Sequence, residues 1–490
     1  MKCTNKIYHK PYYPISRAGD EGKPYICRLI PEKNGFSGDY LYEKDLPCRL
    51  YYSVNDEEFK DLDLKDMHFS ASGIAENAEV KVYIKSENGE VSRTRKVRTG
   101  AIPEGAVVIN YLHPEDDNYI PIGQYLASPS IARLKSGAII ASMDTHMWYG
   151  TENLVIIYKS TDNGKTFKYV TDLTQFFWST IFVHKDVLYI LGVTTLNGNL
   201  HISASYDEGE SWTVPVTLMY GGRAKSYGGG LHRGPMQVIN HKGRLYTTVE
   251  YASFLESRNL DGRADFYPAV ISIDENADLL CPENWSCTDF APYEGKWKEE
   301  SEKASDESRQ AVGSGEVTET DSKRGEGIEG NVVAGPDGRL YNYLRWKPGE
   351  VLVFSIDEKE PEAPLNFEKI VKMPVMDSLF RIIKYEDKYY LVTNRKTEVS
   401  AKLYSCAFRN VLSIFSSSDL ENWEFVCDIV NKESESVSTT GFQYPSVLAE
   451  NSGFLVAVRS AFNNPNNFHD SNHMLLWKID KDVLSNKKEE

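Results

Sequence analysis

The feature that most constrains the fold of this chain is a unit that recurs after residue 125. Each copy has an apolar strand, a turn with Gly or Asp, a second apolar strand, a variable loop, and a third strand that ends in a polar turn and an aromatic residue. A unit of this size cannot bury both of its faces alone, so neighbouring copies must cover them. The first strands of the copies begin near Ser130, Thr180, Met236, Val332, Arg381 and Pro445.

These repeats predict an all-β protein, a six-bladed β-propeller, with a seventh blade allowed. The composition agrees, because 30 Tyr and 20 Phe beside 34 Gly and 21 Pro favour short strands and tight turns. The last copy has only three strands. Residues 106–111, which read Ala-Val-Val-Ile-Asn-Tyr, are placed to supply the fourth and close the ring.

Two regions lie outside the repeats. Residues 1–100 contain strand-like runs such as Val80–Ile84, which predict a small β-rich extension ahead of a propeller domain at 101–490. The longest gap between copies holds residues 299–326, which are rich in Ser, Glu, Lys and Gly and poor in large apolar residues. We expect this segment to be an exposed insertion.

Charge and cysteine content restrict the partners. With 55 Lys and Arg against 71 Asp and Glu, the formal net charge is −16, which disfavours a nucleic-acid partner. No apolar run approaches the roughly 18 residues that span a bilayer, so we expect no membrane partner.

The N-terminus lacks the apolar stretch of a secretory signal, which predicts a cytoplasmic protein. The seven cysteines show no C-x-x-C pair, so neither a disulfide framework nor a metal site is expected, nor any cofactor.

Two copies carry the same turn motif, S-x-D-x-G-x-S/T-F/W, at 160–167 and 205–212. In such a turn Asp162 and Asp207 cap backbone N–H groups, Gly164 and Gly209 adopt a positive φ, and the aromatic residue is buried between blades. A decayed copy occupies 417–423, and 278–285 is a further candidate. The motif predicts a structural role on the outer rim.

The motif matches the Asp-box (BNR) repeats of the sialidase superfamily, which the chain resembles over about residues 105–480. The resemblance implies a glycan-active propeller. Sialidases share three arginines for the substrate carboxylate, a Tyr nucleophile paired with a Glu, and an Asp acid in the first blade; Tyr444, Glu329 and Asp144 lie in the corresponding blades. Their Arg-Ile-Pro triplet is replaced here by Ser128–Ile131, so one carboxylate-binding Arg is missing.

Arginines recur at the ends of second strands, at Arg345, Arg395 and Arg459. Loops at these ends surround the mouth of a propeller channel, so the regular spacing predicts a clamp for a ligand carboxylate. The alternative is that these arginines pair with Asp or Glu and brace neighbouring blades. The remaining candidates for substrate binding at the mouth are His146, Glu250, Arg381, Arg409 and His469.

The sequence therefore predicts an exo-acting glycoside hydrolase that removes a terminal acidic sugar from a small glycan. Its predicted substrate is an acidic oligosaccharide, and its catalytic candidates are Asp144, His232, Glu329 and Tyr444. Two alternatives stay open. One is a β-elimination lyase for a uronate-containing oligosaccharide such as rhamnosyl-glucuronate, in which Arg or His neutralises a carboxylate and His or Tyr takes the C5 proton. The other is a carbohydrate-binding propeller without catalysis.

Overall fold

The computed structural model describes residues 20–64, 66–119, 123–147, 150–221, 229–254, 264–301, 303, 327–397 and 409–485, and the backbone of residues 8–9. Strands dominate these residues. None of the helices within these ranges is long and apolar enough to cross a membrane.

The strands that precede the repeats form two antiparallel sheets, and a two-residue strand near the N-terminus pairs with the propeller. They are β1 (Tyr8–His9), β2 (Tyr25–Glu32), β3 (Gly35–Leu41), β4 (Cys48–Val54), β5 (Lys60–Asp63), β6 (His68–Ser72), β7 (Glu79–Ser86) and β8 (Arg95–Arg98). The sheet orders are β2-β3-β6 and β5-β4-β7-β8. Strand β7 buries alternate residues, as expected for a sheet with one apolar face. Because Phe36 and Val82 share a hydrophobic cluster with Val392 and Val456, this region packs directly on the repeats.

Six antiparallel sheets follow, and we call them the first to sixth blades in chain order. The first blade consists of β10 (Tyr125–Arg133), β11 (Ile139–His146), β12 (Leu154–Ser160) and β13 (Lys168–Thr174). The second consists of β14 (Phe177–His184), β15 (Val187–Val193), β16 (Leu200–Ser205) and β18 (Val216–Met219), and β17 (Trp212–Thr213) pairs with β1. The third consists of β19 (Gly230–His232), β20 (Ile239–His241), β21 (Arg244–Ser253), β22 (Asp265–Asp274) and β23 (Trp285–Cys287), with a 3-10 turn (Pro282–Asn284) before β23.

The other three blades complete the ring. They consist of β24 (Ile328–Ala334), β25 (Leu340–Lys347), β26 (Glu350–Ile356) and β27 (Asn366–Lys372); then β28 (Arg381–Tyr385), β29 (Lys388–Asn394), β30 (Val411–Ser417) and β31 (Glu424–Asn431); then β32 (Gly441–Glu450), β33 (Gly453–Ala461) and β34 (His473–Asp480), followed by a short helix (Lys481–Leu484). Strand β9 (Ala106–Tyr111) pairs with β34 as the fourth strand of the sixth blade, which confirms the predicted closure. We call the first strand of each blade its inner strand. The inner strands of the first and sixth blades, β10 and β32, are in contact, so the all-β propeller predicted from the repeats is confirmed.

Four inner strands share an irregularity that positions the site. Each has a β-bulge whose first residue is in the left-handed region, with φ between 48° and 56°: Ser128, Trp178, Glu329 and Tyr444. Two residues later, a polar side chain bonds to the backbone of the next blade. We call these hydrogen bonds the inter-blade ties: Ser130 with Ile181 N (3.0 Å), Thr180 with Met236 O (2.7 Å), Asn331 with Ile382 N (3.1 Å) and Ser446 with Ile131 N (3.2 Å). A bulge re-aims one side chain without ending the strand, so each tie is combined with a side chain turned toward the channel.

Both copies of the turn motif have the expected geometry. Asp162 Oδ1 accepts hydrogen bonds from Thr166 N–H (2.9 Å) and Ser160 Oγ (2.8 Å). Asp207 makes the equivalent contacts in the second blade. Gly164 has φ +85°, and a Cβ at this position would lie 2.8 Å from a side-chain carbon of Leu476. These turns join the third and fourth strands of their blades, away from the inner strands.

Other sequence predictions stay predictions. The predicted insertion at 299–326 lies outside the described residues except for 299–301 and 303. The boundary between 1–100 and 101–490 is likewise a proposal.

We expect Asp162→Ala and Asp207→Ala each to lower the free energy of unfolding by about 0.5–2 kcal/mol at neutral pH, as loss of a side-chain cap does. Because its contacts with Thr166 and Ser160 outweigh burial and lower the pKa of Asp162 to about 2, this contribution is lost as the pH falls from 4 toward 2. Chemical denaturation of each variant measures it. Asp61→Ala, on exposed strand β5, is the control and should change little. A loss of turnover at unchanged stability would contradict the structural role.

Arg28 connects the N-terminal region to the closing strand, because its Nε and Nη2 donate to Ile109 O (2.9 Å) and Val108 O (2.8 Å). Arg28→Met leaves buried carbonyls without donors and should lower the free energy of unfolding by at least about 2 kcal/mol. Arg49→Met, which removes a half-exposed guanidinium of the same region, should cost less than about 1 kcal/mol. Equal costs for the two variants would show that the extension does not hold the closing strand.

Candidate active site

The site is built around a hydrogen bond between the bulge residues of the fourth and sixth blades. Tyr444 Oη donates to Glu329 Oε1 at 2.5 Å. Arg345, at the end of β25, donates from Nη1 to Glu329 Oε2 at 2.8 Å and lies 3.3 Å from Tyr444 Oη. One buried carboxylate thus contacts both the phenol and a guanidinium.

Electrostatics set the protonation of this pair. Burial acts to raise the pKa of Glu329, but the charge of Arg345 and the hydrogen bond from Tyr444 outweigh it, and the net pKa lies below the ordinary value. Burial, and then the charge of Glu329, raise the pKa of Tyr444 to about 12. At neutral pH the pair therefore consists of an ionised carboxylate and a protonated phenol, and Glu329 is ready to accept the phenolic proton.

Two further arginines surround Tyr444. The guanidinium carbons of Arg459 and Arg409 lie 4.1 Å and 6.0 Å from the centre of its ring. Both side chains donate to Gln443 Oε1, Arg459 from Nη2 at 3.3 Å. Within the described part of the chain, neither arginine forms an ion pair with a carboxylate. Burial, followed by repulsion from Arg345, lowers the pKa of Arg409 to about 10.

Three guanidinium groups thus lie beside two carboxylates, Glu329 and Asp377, and both carboxylates pair with Arg345. A buried charge without an ion-pair partner is costly, which makes Arg409 and Arg459 candidates for binding an anion. A carboxylate matches the guanidinium fork in geometry. Arg345 differs, because its Nε and Nη2 donate to Asp377 Oδ1 at 3.0 and 2.7 Å. Held between Asp377 and Glu329, it positions the Tyr444–Glu329 pair.

Two arginines that were predicted to bind substrate, one from the clamp and one from the remaining candidates, have other contacts. Arg395 forms a two-pronged ion pair with Asp428 on outer strand β31 of its own blade, at 2.8 and 2.7 Å, so it pairs with a carboxylate but braces no neighbouring blade. Arg381 occupies the inter-blade tie position of the fifth blade and donates from Nε to Pro445 O at 2.9 Å and from Nη2 to Pro235 O. Burial lowers its pKa to about 9. Neither guanidinium is left open for a ligand.

Asp144, the predicted acid, is enclosed. It has no exposed surface; its Oδ2 accepts from Trp178 N–H at 2.5 Å, and its Oδ1 lies 3.5 Å from Ser179 Oγ. Burial raises its pKa to about 8, so the carboxyl is mostly protonated at neutral pH. Its Oδ2 also lies 3.7 Å from His146 Nε2, so the carboxyl is enclosed by residues of both the first and the second blade.

The three candidate histidines have different surroundings. His232 Nδ1 lies 2.9 Å from Glu250 Oε2, and both residues are buried. His146 packs its ring on Phe177, 4.3 Å between centroids. His469 Nδ1 lies 3.0 Å from Asp470 Oδ1, and burial with the charge of Arg459 lowers its pKa to about 4, so it is neutral.

Sequence reasoning missed Trp178, Asp377 and Gln443. A signal for Trp178 was present, because it precedes Thr180 by the same two residues that separate Tyr444 from Ser446. Aligning the inner strands on their tie residues would have found it. Gln443 and Asp377 lie beside recognised residues but carry no pattern of their own.

No family model matches this chain, and no curated protein matches it. Solved structures do: a leech intramolecular trans-sialidase has a TM-score of 0.49 at 10% identity, covering 98% of this chain and 94% of that one. A Hadza microbial sialidase has a TM-score of 0.48 at 12% identity, covering 97% and 99%. A Penicillium chrysogenum α-L-arabinanase has 0.46 at 13%, covering 77% and 98%. These are structures that the chain is similar to, and at such identities and TM-scores the likeness carries no argument about its activity.

We expect Arg459→Met to separate binding from stability. Removing a buried charge without a counter-ion should leave the melting temperature unchanged or higher. Affinity for acidic monosaccharides, measured with N-acetylneuraminate and D-glucuronate by calorimetry, should fall about 10–100-fold, since a charge-assisted contact contributes roughly 1.5–3 kcal/mol. Arg395→Met is the matched control and should retain the affinity. A large loss of stability in Arg459→Met with unchanged affinity would contradict the anion pocket.

Proposed function

We propose that this protein is an exo-acting glycoside hydrolase that removes a terminal acidic sugar from a small glycan. The observation that carries the proposal is the pair of buried arginines, Arg409 and Arg459, that lack a carboxylate partner among the described residues and flank the Tyr444–Glu329 hydrogen bond. Together they offer a binding site for an acid and a nucleophile with its base in one place.

The reaction that fits these residues has two displacements. Tyr444 Oη attacks the anomeric carbon, its proton passes to Glu329 Oε1, and the bond from the anomeric carbon to the leaving oxygen breaks. Water then attacks the glycosyl-tyrosine, giving one proton up to the residue that protonated the leaving oxygen, while Glu329 returns the phenolic proton. A neutral phenol suits a negatively charged sugar, because a carboxylate nucleophile would repel it.

We assign the proton donor for the leaving oxygen to His232. Its Nδ1 is held by Glu250 Oε2 at 2.9 Å, while its Nε2 has no hydrogen-bond partner in the described residues. A carboxylate on Nδ1 fixes the orientation of the ring and stabilises the imidazolium, leaving Nε2 to exchange a proton with the substrate. Asp144, enclosed by the first and second blades, supports this role less well.

The closed floor supports attack at a chain end. Arg233 bonds to Leu191 O at 2.8 Å and Met236 O at 2.7 Å, and Arg381 links the third, fifth and sixth blades beside it. We propose that these two buried guanidinium groups close the channel on one side, so that a glycan enters from the other. The net charge of −16 further disfavours long polyanionic substrates.

The second candidate is β-elimination from a uronate-containing oligosaccharide. The His232–Glu250 pair favours it, because an imidazole oriented by a carboxylate can also take a C5 proton. The same arginines would then hold the uronate. The two reactions differ in their products, since only elimination forms an unsaturated uronate.

A panel of acidic oligosaccharides incubated in heavy-oxygen water tests the proposal. We expect one product to gain heavy oxygen at its new reducing end, with no near-ultraviolet absorbance. Tyr444→Phe should lower kcat by at least about 100-fold, and Tyr220→Phe, which alters an exposed phenol, should not. An absorbing product without added water would identify the lyase, and no product from any acidic glycan would favour a binding protein.

Leaving-group dependence tests His232. His232→Gln should lower kcat about 100–10,000-fold for substrates with a sugar leaving group, which needs a proton. For an aryl glycoside of the same acidic sugar the loss should be much smaller, because a phenolate leaves unaided. Equal losses on both substrates would contradict the assignment, and a selective loss in Asp144→Asn would return the role to Asp144.

A further inference from the structure

The mouth of the channel has an aromatic half that the proposed reaction does not use. Trp178 occupies the bulge of the second blade and has the same left-handed backbone as Tyr444 and Glu329, with φ +49°. Like them it lies two residues before an inter-blade tie. Its side chain therefore leaves the inner strand toward the same end of the channel.

The neighbours of Trp178 keep its ring in place. Its indole lies 4.3 Å from the His232 ring and 4.7 Å from Phe177, centroid to centroid. His232 also contacts Phe266 at 4.8 Å. These contacts are aromatic, whereas those of Tyr444 are guanidinium groups, so the two halves of the mouth differ in chemistry. The indole keeps part of its surface exposed although its strand is otherwise mostly buried.

A hydrogen bond to Asp144 holds Trp178 in the left-handed backbone conformation. A left-handed conformation is unfavourable for a large side chain and persists where the surroundings hold it. The buried Asp144 carboxyl accepts the Trp178 N–H at 2.5 Å, and its other oxygen lies 3.5 Å from Ser179 Oγ. Asp144 is thereby a positioning residue for the indole. Strain of this kind concentrates at ligand sites, which points to a function for the ring.

We propose that Trp178 is a stacking platform for a neutral pyranose, the sugar released when the acidic sugar is removed. This inference rests on the proposed function and names its leaving group. The face of a pyranose that carries several C–H groups packs on the electron-rich face of an indole. A sugar on Trp178 lies beside His232, the proposed proton donor, while its acidic neighbour is held by Arg409 and Arg459.

Fluorine NMR of the full-length protein labelled with 5-fluorotryptophan tests the platform, with lactose as the neutral probe. The Trp178 resonance is identified by its loss in Trp178→Phe and should shift as lactose is added. Lactose affinity should fall at least 10-fold in Trp178→Ala and less in Trp178→Phe, which keeps a ring. Trp423→Ala, which removes a part-exposed indole from the outer turn of the fifth blade, is the matched control and should bind normally.

Asp144→Asn tests the positioning role. It should weaken lactose binding several-fold and leave the affinity for N-acetylneuraminate and D-glucuronate unchanged, a separation that a general loss of stability would not produce. Absent lactose binding, or binding that is equal in wild type and Trp178→Ala, overturns the platform. Neither result bears on the proposed acid-binding pocket at Arg409 and Arg459. That pocket would be contradicted separately, by wild-type protein that binds no acidic sugar.

Discussion

The site depends on the inter-blade ties at the centre of the ring. Each tie uses a short polar side chain on an inner strand to bond the backbone of the next blade, as Ser446 does with Ile131 and Asn331 with Ile382. Such buried hydrogen bonds cost little when satisfied and much when broken, so they fix the relative position of the blades. The residue two positions earlier is then turned toward the channel by the bulge. The same arrangement of a bulge followed by a tie therefore connects neighbouring blades and turns side chains toward the site.

The buried charges of the candidate site add an electrostatic cost to the free energy of folding. Arg409 and Arg459 are buried without a carboxylate in the described residues, and Arg409 is further opposed by Arg345. A propeller tolerates such a cluster because its stability comes from apolar contacts between sheets, as in the core around Val392 and Val456. On our proposal this cost is returned when an anionic ligand binds.

Much of the fold was predictable because it follows from patterns with a clear period. The repeat gave the blades, the incomplete last copy gave the closure by residues 106–111, and the Asp-Gly turns gave the caps of Asp162 and Asp207. In the site, the blades of Tyr444 and Glu329 were expected, and the structure brings the two side chains together. Their catalytic roles, like those of His232 and Asp144, are proposals.

The sequence could not predict which residues the side chains of Arg395, Arg459 and Asp144 contact. Arg395 and Arg459 end equivalent strands, yet Arg395 meets Asp428 on its own blade while Arg459 packs on the Tyr444 ring. Strand position is local, but the choice of partner depends on residues brought close only by folding. Asp144 illustrates the same limit, because its N–H partner lies on the next blade.

The most direct measurement is a crystal structure of the Tyr444→Phe variant with an acidic disaccharide bound. The account predicts that the sugar carboxylate accepts hydrogen bonds from Arg409 and Arg459, with the anomeric carbon facing the position of the missing hydroxyl beside Glu329. A carboxylate bound elsewhere, or a neutral sugar held by these two arginines, would contradict it.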